Sequence, residues 1–251
     1  MALPTTEESR ALLAHASREG WWFRAKEDIV ASLLARHLPV DCRALVLGIG
    51  GGGTIRRIRQ LAPRAVVTGL DIDPDAVQLL ADLDPAGRYR VADIERDELA
   101  PRASQDLVVA LDVIEHLDDD HGVVRRVHDV LAEGGLFAVH VPAHQWLFSS
   151  HDEHLGHRRR YGPRRLERLL TDAGFRIVHS TPLFATTLLL LAGWRKGVQP
   201  LLGLRTDRSD VSLGLPGPID STLYGLARVE GALARVRLPF GSSHFVLACR
   251  P

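Results

Sequence analysis

Residues 48–53 read Gly-Ile-Gly-Gly-Gly-Gly, directly after the apolar run Leu45-Val46-Leu47 and ahead of a helical stripe at Ile55, Ile58 and Leu61. Glycines in such a place let the backbone come close to a ligand, and the first turn of the following helix offers N–H groups with no partner of their own. Two spacings are met at once. Gly48, Gly50 and Gly53 fit the dinucleotide pattern G-x-G-x-x-G, while Gly48, Gly50 and Gly52 fit a G-x-G-x-G loop. The glycines alone do not choose between them. Asp71 closes the next apolar run, where a carboxylate accepts from both hydroxyls of a ribose in either case, with Ile72 beside it. Asp73 is better placed than Asp71 to cap the helix that opens at Pro74. The third run ends Val91-Ala92-Asp93-Ile94, where Asp93 can accept from an adenine amino group and Ile94 can lie along the ring.

Histidine supplies the other candidate chemistry. His116, His140, His144, His151 and His154 follow or lie within the fourth and fifth apolar runs. An imidazole with a pKa of about 6.5 is available as a general base near neutrality. His140 alternates inside a run and reads as a hydrogen-bonded core residue. His144 and His151 come just after it, on the edge where α/β sheets place ligands, and are the expected bases. The cluster His144, His151, Asp152, Glu153, His154 and His157 also has metal-ligand types. It lacks a cysteine pair and a His-x-x-x-His spacing, so no metal is expected there. Arg158, Arg159, Arg160, Arg164 and Arg165 read as a solvated face pairing with Glu153, Glu167 or Asp172, with an anionic substrate as the other reading. No G-x-S-x-G elbow, P-loop lysine motif or Cys-x-x-Cys pair occurs, which removes hydrolase, P-loop and structural-zinc readings.

These residues must be positioned by short apolar runs at 44–49, 65–72, 89–92, 107–113, 136–141, 175–179 and 244–249, most of them nearly continuous in apolar character, as strands covered on both faces are. Helical stripes separate them: Val77, Leu80 and Leu83; Val123, Val124, Val127, Val130 and Leu131; and Leu166, Leu169, Leu170 and Ala173, closed by Gly174. Such alternation predicts a doubly wound parallel sheet. A helical cap is expected over 1–40, with Thr5 and Thr6 as an N-cap before Glu7 and Glu8. The core is expected over 41–182 and 242–251, and a helical insertion over 183–241, holding an apolar piece at 184–194 and a helix at 223–236. The insertion is the expected acceptor side.

The chain has 251 residues, 45% of them hydrophobic and 25% charged, typical of one globular α/β unit. Its 31 basic residues balance 31 acidic ones, so it lacks the footprint of a nucleic-acid binder. Cys42 and Cys249, the two cysteines, read as buried hydrophobes in a reducing, cytoplasmic setting. The first residues show no signal peptide, and the apolar piece at 184–194 is well short of the ~20 residues of a membrane span.

The fourth run continues Ala110-Leu111-Asp112-Val113-Ile114-Glu115-His116-Leu117. Leu131-Ala132-Glu133-Gly134-Gly135 follows, then Ser150-His151-Asp152-Glu153-His154-Leu155-Gly156-His157-Arg158-Arg159-Arg160-Tyr161, then Gly174-Phe175. With the glycine loop, these segments resemble in order and spacing the class I S-adenosylmethionine-dependent methyltransferases. The last segment and Trp21-Trp22-Phe23-Arg24 are similar to one bacterial small-molecule subgroup. The likeness spans 20–180 and the final strand, and is weak in the insertion.

The resemblance implies a Rossmann-like, doubly wound, seven-stranded sheet with N-terminal helices, and methyl transfer to a small acceptor. It implies that Gly48, Gly50 and Gly52 line the methionine portion of the cofactor, Asp71 and Ile72 the ribose, Asp93 and Ile94 the adenine, and Leu111 the underside of the sulfonium. Arg24 would meet the cofactor's carboxylate if the N-terminal helix folds over the site. His116 and Tyr161 are expected on the acceptor side. The insertion's apolar character suits a hydrophobic acceptor, and equally a homodimer contact or a membrane interface. One position departs: the family has an acid two residues before the first glycine, orienting the cofactor's amino group, and here it is Val46. That departure keeps open a methyltransferase fold that binds the cofactor without methyl transfer, cyclase-like or accessory. An NAD-dependent oxidoreductase rests on the glycines alone and leaves Asp93 and Glu115-His116-Leu117 unexplained.

Overall fold

Seven strands form the sheet: β1 (Arg43–Leu47), β2 (Val66–Asp71), β3 (Arg88–Val91), β4 (Gln105–Leu111), β5 (Leu131–Pro142), β6 (Arg176–Leu183) and β7 (Ser243–Cys249). They are seen in a computed structural model that describes residues 20–193, 217–233 and 240–251. The order is β3-β2-β1-β4-β5-β7-β6. All neighbours are parallel except β7, which runs antiparallel to both β5 and β6. The alternation predicts a parallel sheet, and β7 is the strand that departs from it. The reason is that Leu183 at the end of β6 pairs with Ser243 at the start of β7. The chain leaves and re-enters the sheet at the same edge, so β7 has to run back.

Strand residues alternate between two apolar clusters, one on each face. In β1, Leu45 and Leu47 enter one cluster and Ala44 and Val46 the other, none more than 1% exposed. On the Val46 face lie α1 (Trp21–Leu34), α2 (Gly53–Leu61) and α3 (Pro74–Leu83), through Ile29, Val30, Leu33 and Leu34, Ile55 and Ile58, and Ala76 and Leu80. On the other lie α4 (Asp120–Val130) and α6 (Pro163–Asp172), through Val123, Val124, Val127, Leu166, Leu169 and Leu170.

Helix ends follow local chemistry. Asp73 caps α3 by accepting from the Asp75 N–H at 2.9 Å, with Pro74 at the first position. Asp119 caps α4 through the Gly122 N–H at 2.8 Å. Gly174 follows α6 with φ +97°. Leu131 belongs to β5 and not to the stripe before it.

The insertion contributes α7 (Ala185–Ala192) and α8 (Gly217–Leu233), and α8 packs on α1. Asp220 accepts from the Trp21 N–H at 2.9 Å and from Arg24 Nη2 at 2.5 Å, and the Tyr224 hydroxyl donates to Asp28 Oδ2 at 2.5 Å. Glu230 of α8 accepts from the Thr186 N–H of α7 at 2.8 Å. The N-cap expected at Thr5 and Thr6, Trp194 at the end of the apolar piece, and the last turn expected up to Val236 lie outside the described residues. Among the described residues, no helix is long and apolar enough to cross a membrane.

Candidate active site

β1 and β4 lie side by side where the strand order reverses, the place where an open α/β sheet leaves a crevice at its carboxyl edge. The glycine loop fills one wall of it. Gly48, Gly50 and Gly52 all have left-handed backbone, with φ of +70°, +46° and +79°. A Cβ on Gly48 would sit 2.5 Å from Val113 Cγ2, and one on Gly52 2.5 Å from Leu80 Cδ1. Gly50 is different, because a Cβ there would meet nothing within 4 Å. Asp71 braces the loop: Oδ2 accepts from the N–H groups of Ile49 at 2.9 Å and Gly50 at 3.3 Å, and Oδ1 from that of Asp73 at 3.0 Å. Ile72 beside it is 60% exposed, an apolar surface at the strand end. Asp93 accepts from the Glu95 N–H at 2.9 Å and stands 3.5 Å from Arg96. Ile94 is largely buried in the cluster that holds Leu45 and Leu47.

The ends of β4, β5 and β7 hold a polar chain. Lys26 Nζ donates to Asp112 Oδ2 at 2.5 Å, His140 Nδ1 lies 2.7 Å from Asp112 Oδ1, and His140 Nε2 lies 2.8 Å from Ser243 Oγ. Lys26, His140 and Ser243 are buried, while Asp112 keeps part of its carboxylate exposed at the crevice. Asp112 is in the left-handed region with φ +55°, a conformation that costs a non-glycine residue about 1 kcal/mol or more. Burial pushes its pKa up, but the Lys26 ammonium and His140 outweigh that and hold it below the usual carboxylate range. Sequence reasoning missed Lys26 and Asp112 as a pair. Asp112 lay inside the Leu111–Leu117 motif, but nothing local connects it to Lys26. Leu111, one residue earlier, is half-buried against the cluster on the Val46 face.

His144 follows β5 with φ +63°, its ring centroid 5.7 Å from that of the half-exposed Trp146. His151 lies in α5 (Ser150–His154), at the same edge. His116 is held neutral, its pKa lowered to about 4 by burial and then by His157.

Two of the expected site residues have partners within the fold. Tyr161 is fully buried, donating its hydroxyl to Asp120 Oδ2 at 2.5 Å and to the Ile114 carbonyl at 3.2 Å, so it is a core residue and not an acceptor contact. Arg24 Nη2 pairs with Asp220 of α8, its guanidinium stacks 4.5 Å over the Tyr224 ring, and its Nε has no hydrogen-bond partner.

The His/Asp segment around α5 is knitted to itself. Buried Asp152 accepts from the Ser149 N–H at 3.0 Å and from Arg160 Nε at 2.7 Å, and its Oδ1 lies 2.8 Å from His157 Nδ1. Arg158 and Arg159 pair with Asp118 and Asp120, not with Glu153, Glu167 or Asp172. Arg164, Arg165 and Arg168 line a cavity of about 320 Å³ with His121 and Asp172. Glu115 is wholly buried, and both its carboxylate oxygens lack hydrogen-bond partners. Burial, then the Asp112 carboxylate, push its pKa well up.

A seven-stranded sheet of this order, with a glycine loop and an acid at its switch point, defines an α/β enzyme built on a nucleoside-bearing cofactor. A family model described as a methyltransferase domain matches residues 45–137, from β1 into β5. The chain belongs to the class I S-adenosylmethionine-dependent methyltransferases. It is 33% identical over 189 residues to a probable S-adenosylmethionine-dependent methyltransferase of Mycolicibacterium smegmatis, covering 73% of this chain and 69% of that protein. A trans-aconitate 2-methyltransferase of Rhizobium etli is 30% identical over 119 residues, 47% of this chain and 44% of that one. Among solved structures, phosphoethanolamine N-methyltransferase 2 of Haemonchus contortus, in complex with S-adenosyl-L-methionine, superposes with a TM-score of 0.59 at 17% identity, covering 88% of this chain and 52% of that one. The [4+2]-cyclase SpnF superposes at 0.61 and 18% identity, covering 94% and 84%, a likeness of fold.

Proposed function

We propose that this methyltransferase moves the methyl group of S-adenosylmethionine to a small, apolar acceptor by in-line displacement, with His144 or His151 taking the acceptor's proton. The observation that carries the cofactor half is Gly50, left-handed and facing open space beside Asp71. Gly48, Gly50 and Gly52 are assigned to the methionine portion. Asp71 and Ile72 are assigned to the ribose, Asp93 and Ile94 to the adenine, and Leu111 to the underside of the sulfonium. Glu27 stands in for the acid missing at Val46. Its carboxylate occupies the space a side chain on Gly53 would take, at the start of α2, and is the group we assign to the cofactor's ammonium.

The bound cofactor supplies a methyl group on a sulfonium that is neutralised as the methyl leaves. The protein's part is to align the acceptor and exclude water. The apolar shelf of Trp146 beside His144 favours an apolar acceptor carrying a hydroxyl or amine. The core over 41–182 and 242–251 is assigned to the cofactor, and the insertion over 183–241 to the acceptor side. Exposed Leu189, Leu226 and Val229 on α7 and α8 also suit a homodimer or a membrane interface.

Calorimetric titration with S-adenosylmethionine, S-adenosylhomocysteine and NAD tests the cofactor half; micromolar binding of the first two and none of NAD is expected. Methyl transfer from labelled cofactor to a panel of apolar alcohols and amines tests the rest. His144→Gln or His151→Gln is expected to lower kcat with cofactor affinity unchanged. Cofactor binding with no transfer to any acceptor would favour the second reading, a non-methylating use of the fold, which rests on Val46.

A further inference from the structure

Glu115 is the polar side chain this structure leaves least satisfied. It is wholly buried in the middle of the turn after β4, Ile114–His116, and neither carboxylate oxygen has a hydrogen-bond partner. Buried carboxyl groups are normally paired or bound to a cation, because leaving them bare costs several kcal/mol, on the order of the whole strength of a buried hydrogen bond. The nearby cations are already used. Arg160 Nε goes to Asp152 at 2.7 Å and Lys26 Nζ to Asp112 at 2.5 Å.

What faces Glu115 is a pair of imidazoles. One carboxylate oxygen of Glu115 and one ring nitrogen each from His116 and His157 all lie within 4.8 Å of one another. The two rings meet edge to face with centroids 4.7 Å apart. His157 is held from behind: its Nδ1 lies 2.8 Å from Asp152 Oδ1, and Asp152 is fixed in turn by Arg160 and the Ser149 N–H. A carboxylate behind an imidazole fixes its tautomer and aims the other nitrogen outward, the support that metal-ligating histidines have.

We propose that Glu115, His116 and His157 form a divalent-cation site. Two imidazoles and one carboxylate suit zinc, bound by three protein ligands with a fourth position left for water or an oxygen-bearing ligand. The distances allow it. Three atoms within 4.8 Å of one another have a common point no more than ~2.8 Å from each, so under about 1 Å of side-chain movement brings them to zinc-ligand distances of about 2.1 Å. The histidines are less buried than Glu115 and give the ion a way in. The cluster considered from sequence, His144 to His157, lacked two of these three ligands, because Glu115 and His116 reach His157 only through the fold. The inference does not rest on the identity of the acceptor or of the base.

The test uses the full chain, stripped of metal by chelation and dialysis. Cobalt(II) is titrated in and followed by the visible absorption of four-coordinate cobalt, and zinc by competition with a chromogenic chelator. One cobalt per chain, displaced by zinc, is expected. Glu115→Gln and His116→Gln should each weaken uptake at least tenfold, while His154→Gln, an exposed histidine on the same segment, should leave it unchanged. Zinc should also raise the thermal midpoint of the wild-type chain, a readout that survives if the glutamine variants fold poorly. Absence of stoichiometric uptake, uptake indifferent to both glutamine substitutions, or a wild-type midpoint unmoved by zinc would overturn the site.

Discussion

Lys26 and Asp112 are joined across 86 positions of the chain by a 2.5 Å ion pair, and through it α1 is fastened to the end of β4. Lys26→Met keeps the aliphatic stem and removes the charge, leaving Asp112 with His140 alone. Breaking a fully buried pair costs about 3–5 kcal/mol, and the partial exposure of Asp112 reduces this to about 2 kcal/mol. For a chain of this size that is a fall in Tm of about 4–8 °C, read by thermal denaturation. The double variant Lys26→Met, Asp112→Asn should recover part of it, since no bare carboxylate remains.

The same pair sets a pH dependence. Folding lowers the pKa of Asp112, so its contribution to stability is complete above the unfolded value of about 4 and is lost as pH falls through the folded value. Urea midpoints of wild type and Asp112→Asn should differ above about pH 4 and draw together as pH falls below it. A gap that widened on acidification would contradict the assignment.

The three left-handed glycines should separate fold from ligand. Gly48→Ala and Gly52→Ala each add a Cβ 2.5 Å from a neighbouring side-chain carbon on top of backbone strain, so both should lower Tm markedly. Gly50→Ala meets no neighbour and carries only the strain of about 1–2 kcal/mol. Its main effect should be on the calorimetric affinity for S-adenosylmethionine, which should weaken at least tenfold.

Arg24→Ala should leave that affinity unchanged, because Nη2 is paired with Asp220 and the guanidinium lies over Tyr224. The variant should instead loosen α8, seen as faster amide exchange over 217–233.

Glu27→Gln is expected to weaken binding of S-adenosylmethionine more than Tm. Equal affinity for wild type and variant would return the missing acid at Val46 to an open gap.

The sheet was legible because its strands are apolar on both faces and its helices carry one-sided stripes. The runs at 44–49, 65–72 and 107–113 needed only local pattern, and so did the cap at Asp73. The direction of β7 was not legible, since it depends on the edge at which the insertion leaves the chain. The loop glycines and Asp71 announced themselves by spacing. Lys26 and the partners of Arg24 and Tyr161 did not, because each is decided by a partner 40 or more positions away. A buried tyrosine and a substrate-facing one look alike in a linear string.

Trp21, Arg24 and Asp28 meet Asp220 and Tyr224 across 196 to 199 positions of sequence. Those two stretches are therefore one inheritable unit, although the gene writes them far apart. Exchanging residues 183–241 with those of another enzyme would deliver a helix whose polar grips find no matching handholds on α1. Retargeting this scaffold to a new acceptor calls for both stretches to be swapped together, and natural divergence of the insertion should drag the first helix along with it.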